Sequence, residues 1–101
     1  MRPIHIVRLD KSRPALVLTR EAVRPYIGRF TVAPITSTIR GLSTEVRLGP
    51  RNGVDHECVV SCDNIVTVPV DAVGRQVGYL WEEQEADLAE AIANAFELRP
   101  D

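Results

Sequence analysis

For most of its length the chain alternates short apolar runs with polar punctuation, and only near the C-terminus does the period lengthen. Ile4 to Leu9 is apolar enough for a strand. Asp10-Lys11-Ser12 makes a tight polar turn, and Ala15-Leu16-Val17-Leu18-Thr19 is a continuous apolar run suited to a buried strand. Pro14 stands at the start of that second strand, where a missing N–H is tolerated. Arg20 to Gly28, holding Pro25, reads as a connection with room for one helical turn. Phe30 to Ile35 predicts a third strand that empties into the hydroxyl-rich loop Thr36-Ser37-Thr38-Ile39-Arg40-Gly41. Thr44 to Leu48 alternates polar and apolar residues, as a strand with one wet face should. Gly49 to Gly53 is a strong turn signal, with Asn52-Gly53 as a favoured hairpin pair. Cys58 to Cys62, Ile65 to Val68 and Gln76 to Leu80 are three further strands, one of them closed by Pro69.

Glu82 to Leu98 is the one helical segment: Leu88, Ile92 and Phe96 recur four apart on one face, with Ala91 and Ala95 beside them. Glu82, Glu83 and Glu85 load its first turn, where the helix dipole favours negative charge. Short strands and turns in a chain of 101 residues allow one core and one domain, spanning 1–101. The expected fold is mainly β: a small barrel, closed so that it leaves no bare sheet edge, with the C-terminal helix packed on it.

Composition is that of an ordinary folded domain, 45% hydrophobic and 26% charged, which excludes a disordered tract, a fibre or a disulfide scaffold. The net charge of −2 argues at first against a polyanionic partner. Its distribution changes that picture. Met1 to Trp81 hold 11 of the 12 basic residues and 7 of the 14 acids, a balance of +4, whereas Glu82 to Asp101 carry −6. Eleven of the basic residues are arginines, whose planar fork binds phosphate or carboxylate through two parallel hydrogen bonds, although codon bias in a GC-rich genome explains such an excess equally well.

The N-terminus has no apolar signal segment and no stretch is long enough to span a membrane, so the chain reads as cytoplasmic. Cys58 and Cys62, four apart on one strand, would lie about 13 Å from each other, too far for a disulfide, and read as structural thiols. No CxxC or HxxxH spacing supports a metal site, and no cofactor is implied. No GxxxxGK(S/T), GxGxxG, HExxH or GxSxG motif is present. Histidine is the residue type suited to acid–base work near neutrality, but His5 sits in an apolar strand and His56 beside a turn, and both read as structural. A better constellation is Arg13, entering the second strand, with Thr36, leaving the third. If those strands are antiparallel neighbours, the two side chains meet at one rim with Ser37, Thr38 and Arg40 beyond them. A guanidinium beside a hydroxyl suits a phosphodiester, because it stabilises the charge that builds on a pentacoordinate phosphorus. With RNA as substrate, the 2′-hydroxyl supplies the nucleophile.

Four blocks then carry a resemblance: Arg13-Pro14-Ala15-Leu16-Val17-Leu18-Thr19, Val32-Ala33-Pro34-Ile35-Thr36, Arg40-Gly41-Leu42-Ser43-Thr44-Glu45-Val46 and Ser61-Cys62-Asp63-Asn64-Ile65. In order and separation they resemble the MazF/PemK family of toxin endoribonucleases, over roughly Ile4 to Phe96. The resemblance implies an SH3-like barrel of the CcdB/MazF/PemK type with a C-terminal helix, a homodimer whose shared face binds single-stranded RNA, and an acidic MazE-type antitoxin that occupies that face. It implies metal-independent, sequence-selective cleavage of mRNA, tRNA or rRNA to 2′,3′-cyclic phosphate and 5′-hydroxyl ends, arresting translation and growth. The family's catalytic residues fall on Arg13 and Thr36, and RNA contacts on Lys11, Ser37, Thr38, Arg40 and Asn64. With a solution pKa above about 12, an arginine is better suited to stabilising the transition state than to shuttling protons.

Two departures stand out. Arg2-Pro3-Ile4 replaces the family's usual Arg-Gly-acid start, and the long loop between its first two strands shrinks to Asp10-Lys11-Ser12. Two other readings are a CcdB-like toxin that binds gyrase, although this chain ends Leu98-Arg99-Pro100-Asp101 rather than Trp-Gly-Ile, and a catalytically silent member that only binds RNA or antitoxin.

Overall fold

The computed structural model describes residues 1–99; Pro100 and Asp101, which fall within the expected 1–101 domain, lie outside the described residues. Its elements are β1 (Arg2–Arg8), β2 (Ser12–Val17), β3 (Arg29–Thr36), β4 (Glu45–Leu48), β5 (Cys58–Ser61), β6 (Val66–Pro69), β7 (Val73–Leu80) and the helix α1 (Glu85–Phe96). The first connection after β2 holds a 3-10 turn at Glu21–Tyr26, as the proline-bearing sequence there allows. The strands form an antiparallel sheet in the spatial order β4-β5-β3-β2-β1-β7. β3 divides its edge opposite β2: Arg29–Val32 pairs with β6, and Ile35 and Thr36 pair with β5.

The apolar run of β2 is buried on both sides, because the curled sheet has a core on each face rather than the single core expected from the chain length. Leu16, with Ile4, Ala33, Ile35, Val46, Val60 and Leu80, belongs to the larger core that α1 covers through Leu88 and Ala91. Ala15 and Val17 point the other way, into a smaller cluster with Val7, Val32 and Val68. Successive side chains of a strand alternate in direction, so three consecutive apolar residues serve two cores. Pro14 lies within β2 rather than at its start, opposite Ile6, and the ladder to β3 begins one residue later at Ala15.

Three expectations need correction. Asn52-Gly53 does not turn a two-residue hairpin: β4 and β5 are joined by Gly49–Glu57, and Pro50–Asn52 is a 3-10 turn ended by Gly53 at φ 91°. Asn52 is buried, and its side chain accepts from Gly49 N–H (3.2 Å) while donating to Tyr79 O (2.9 Å) and Gln84 Oε1 (2.8 Å). An amide satisfied at three points holds the turn against β7 more firmly than a tight hairpin would. The barrel is not closed by strand pairing, since β4 and β7 are unpaired ends of the sheet; the turn spans the gap. Its backbone touches β7 so closely that a Cβ on Gly78 would fall 1.8 Å from Asn52 O. Finally, α1 begins at Glu85 after a 3-10 turn at Glu82–Gln84, and Phe96 is 57% exposed rather than part of the core face. Asn94 donates to Ser43 O (3.0 Å) near the helix end, and Phe96 stands one half-turn beyond it.

Candidate functional site

Register decides whether the two residues of the sequence constellation meet. The β2–β3 ladder ends where Ala15 pairs with Pro34, and Arg13 and Thr36 lie two residues beyond that end, one on each strand. Both side chains line two adjoining clefts, one of about 870 Å³ and one of about 730 Å³. Arg13 is half-buried, and its Nη2 bonds Asp10 Oδ2 at 3.1 Å across the β1–β2 turn. Its Nε is buried with no hydrogen-bond partner among the described residues. A guanidinium has five N–H donors, so Asp10 fixes the head and leaves most of the fork for an anion. The Thr36 Oγ1 accepts the N–H of Thr38 at 3.1 Å. With that lone pair occupied, its own O–H proton is free to donate.

The first cleft runs over an apolar floor of Pro34, Val66 and Val68 and is rimmed by Arg8, Arg40, Asp63 and Asn64. Arg40 is placed there by Glu45. The Glu45 carboxylate, at the head of β4, accepts the N–H groups of Arg40 (3.2 Å), Gly41 (2.9 Å) and Leu42 (3.2 Å). Three successive amides pointing inward form an anion-binding nest, which the chain fills with its own carboxylate. Gly41, at φ 73°, supplies the left-handed residue the bend requires. The opposite wall is tied by Thr44 Oγ1 to Asp63 Oδ2 (2.6 Å) and Asn64 Nδ2 to Ser61 Oγ (2.8 Å). The second cleft is lined by Lys11, Ser37, His56 and Arg75.

Every residue singled out from sequence borders one cleft or the other. Arg40 and Asn64 line the first, Lys11 and Ser37 the second, and Arg13, Thr36 and Thr38 both. Glu45, Asp63 and Arg75 were not singled out, and His56, read as structural, is exposed on the second cleft. For Asp63 and Glu45 the signal was present in the resemblance blocks that contain them. For Arg75 there was none, because its place depends on how β7 lies against β1. His5, read as structural, lines neither cleft; a carbonyl only accepts, so its Nδ1 donates to Gly74 O (2.8 Å).

Cys58 and Cys62 are buried free thiols, although they do not share one strand: Cys58 opens β5 and Cys62 begins the 3-10 turn that follows it. Burial, with Glu57 nearby, pushes the Cys58 thiol up, and burial with Asp63 pushes Cys62 up to about 11. Both are held as neutral thiols, although Cys58 borders the second cleft. Among the described residues, no group of three or more His, Cys, Asp or Glu is gathered to hold a metal. Among the described residues none after Val77 lines either cleft, so α1 lies outside both. No helix among the described residues is long and apolar enough to cross a membrane.

Comparison with known proteins gives the geometry a context. Residues 7–96 match the family described as PemK-like, MazF-like toxin of type II toxin-antitoxin system. The endoribonuclease MazF3 of Mycobacterium tuberculosis is 61% identical over 98 residues, covering 97% of this chain and 95% of the relative. The solved structure of the Mycobacterium tuberculosis toxin MazF-mt6 matches with a TM-score of 0.96 at 60% identity, covering 98% of this chain and 100% of that one. A chain of the MazE–MazF crystal structure (Form-III) from Deinococcus radiodurans matches with a TM-score of 0.74 at 26% identity, with 94% of each chain covered.

Proposed function

Because the chain belongs to the PemK-like, MazF-like family of type II toxin–antitoxin toxins, we propose that it cuts single-stranded RNA at the rim that Arg13 and Thr36 share. It is an endoribonuclease of a toxin–antitoxin system, in line with its relatives named as such. The single observation that carries the site assignment is the pairing of a half-buried guanidinium, whose Nε lacks any hydrogen-bond partner among the described residues, with a hydroxyl whose proton is free, both bordering the same two clefts.

The chemistry follows from those groups. The RNA 2′-oxygen bonds to phosphorus as its proton leaves, the P–O5′ bond breaks, and the 5′-oxygen departs with a proton. The products are a 2′,3′-cyclic phosphate and a 5′-hydroxyl, with no metal or cofactor taking part. Arg13 binds the non-bridging oxygens as their charge grows, and Thr36 donates to one of them. Lys11, Ser37, Thr38, Arg40 and Asn64 hold the strand on either side, supported by their positions on the two cleft walls. The partners are the RNA, an acidic MazE-type antitoxin and a second copy of the chain, and the toxin acts in the cytoplasm as one domain over residues 1–101.

The test is to incubate the protein with total RNA in EDTA and map new 5′-hydroxyl ends by sequencing. A consensus at the cut sites is expected, lost at least a hundredfold in Arg13→Ala and Thr36→Ala variants that keep the wild-type melting temperature. Wild-type rates in both variants would overturn the assignment; no cleavage by the unaltered protein would favour a silent, binding-only member.

A further inference from the structure

The two clefts that meet at Arg13 differ in charge. In the first, Arg8, Arg13 and Arg40 face the acids Asp10, Glu45 and Asp63. In the second, Lys11, Arg13 and Arg75 face Asp55 alone. Among the described residues neither Lys11 nor Arg75 pairs with a carboxylate, and the same holds for Arg8 and Arg40 of the first cleft; the clefts differ in that three carboxylates line the first and one the second. Cations left unpaired in a cleft, with a low-dielectric wall behind them, raise the local potential for a polyanion.

Arg75 owes its place to an irregularity in the sheet. β1 and β7 pair His5 with Gln76 and Val7 with Val73, so Gly74 and Arg75 together oppose Ile6. Two residues against one is a β-bulge, which bends the strand and re-aims a side chain. The bulge is pinned, because His5 Nδ1 donates to Gly74 O at 2.8 Å. It is also tight, since a Cβ on Gly74 would sit 3.1 Å from Ile6 O. A regular ladder would have put Gln76 on the other face, and the second register shift, between Ile4 and His5, returns the strand to its original phase from Gly78 on.

We propose that the second cleft is a subsite for an RNA backbone phosphate adjoining the scissile one, with Arg75 and Lys11 as its contacts and the Gly74–Arg75 bulge as the device that presents Arg75. This rests on Arg13 and Thr36 marking the cutting position. The division of labour is physical: the cationic cleft holds backbone charge, and the mixed cleft, with Asn64 and Asp63 on its rim, is left to face bases.

The experiment measures kcat/KM for a short single-stranded RNA bearing the mapped cut site, across a series of salt concentrations. Arg75→Ala is expected to lower kcat/KM about tenfold at low salt, mostly through KM, and to flatten the log–log salt dependence by about 0.7, the slope of one phosphate contact on a single strand. Arg75→Lys should restore most of the slope, because it keeps the charge. A methylphosphonate replacing one phosphate beside the cut should cost the unaltered protein as much as Arg75→Ala does, and cost Arg75→Ala nothing more. An unchanged KM and salt slope in Arg75→Ala, or losses from Arg75→Ala and every neighbouring methylphosphonate that simply add, would overturn the proposal. If Arg13→Ala is inactive in the same assay, such a failure leaves the cutting site standing; if Arg13→Ala cuts normally, the site assignment itself falls.

Discussion

Replacing Glu45 with alanine removes a carboxylate that holds three consecutive backbone amides and, through them, the direction of Arg40. The contacts are 2.9 Å to Gly41 N–H and 3.2 Å each to Arg40 and Leu42 N–H, all to Oε1. Charge-assisted bonds of this kind are worth about 1.5–3 kcal/mol where water is excluded, but Arg40 to Leu42 are exposed and water can replace part of each bond, so roughly 1 kcal/mol apiece is the better scale. The loop should therefore lose about 2–3 kcal/mol of local order. Since 1.36 kcal/mol is a factor of ten, the amides of Gly41 and Leu42 should exchange with solvent on the order of a hundredfold faster, read residue by residue by NMR. Glu45→Gln keeps Oε1 as a neutral acceptor and should show about half the effect in kcal/mol. RNA cleavage should follow in the same order, with KM rising more than kcat falls and with Arg40→Ala adding little to Glu45→Ala. Unprotected Gly41 and Leu42 amides in the wild-type protein, or equal exchange in Glu45→Ala, would refute the reasoning.

Two further outcomes concern the frame around the site. Asn52→Ala strands Gly49 N–H and Tyr79 O beneath the turn and should cost about 2–4 kcal/mol in urea denaturation. Asn52→Asp should be worse at neutral pH, because it sets a carboxylate oxygen against Tyr79 O and Gln84 Oε1; a variant as stable as wild type would show that the amide does not bridge the gap. Cys62, with its pKa raised from 9.0 to about 11, binds its proton more tightly folded than unfolded, so its stabilisation is complete below pH 9.0 and is lost as pH rises toward 11. Denaturation of wild type against Cys62→Ala between those limits should show the wild-type curve falling more steeply, and parallel curves would contradict the shift.

The strands were legible wherever burial imposes a pattern. Ala15-Leu16-Val17 had to be a strand buried on both sides, and Leu88 with Ala91 had to face a core. That Arg13 and Thr36 border the same clefts was legible for a topological reason: antiparallel neighbours bring the start of one strand beside the end of the next. Asn52-Gly53 and Phe96 misled because local propensity carries no information about what lies opposite. The first was taken up by β7, and the second stands near the end of a helix whose inner face packs on the barrel.

Net charge shows the same boundary. By sequence alone the protein is a basic body of +4 joined to an acidic segment of −6, and its apolar periods commit it to short strands followed by a helix. Those are properties of neighbours in the chain, decided by spacing and by the burial each spacing permits. Which cations share a cleft was decided only when the sheet curled. Arg75 shares a cleft with Arg13 and Lys11 on a strand that bulges opposite Ile6, and Arg40 lines the other cleft from a loop that Glu45 gathers. Residues this far apart in sequence meet through strand register and backbone hydrogen bonding, which depend on the partner strand as much as on the residues themselves.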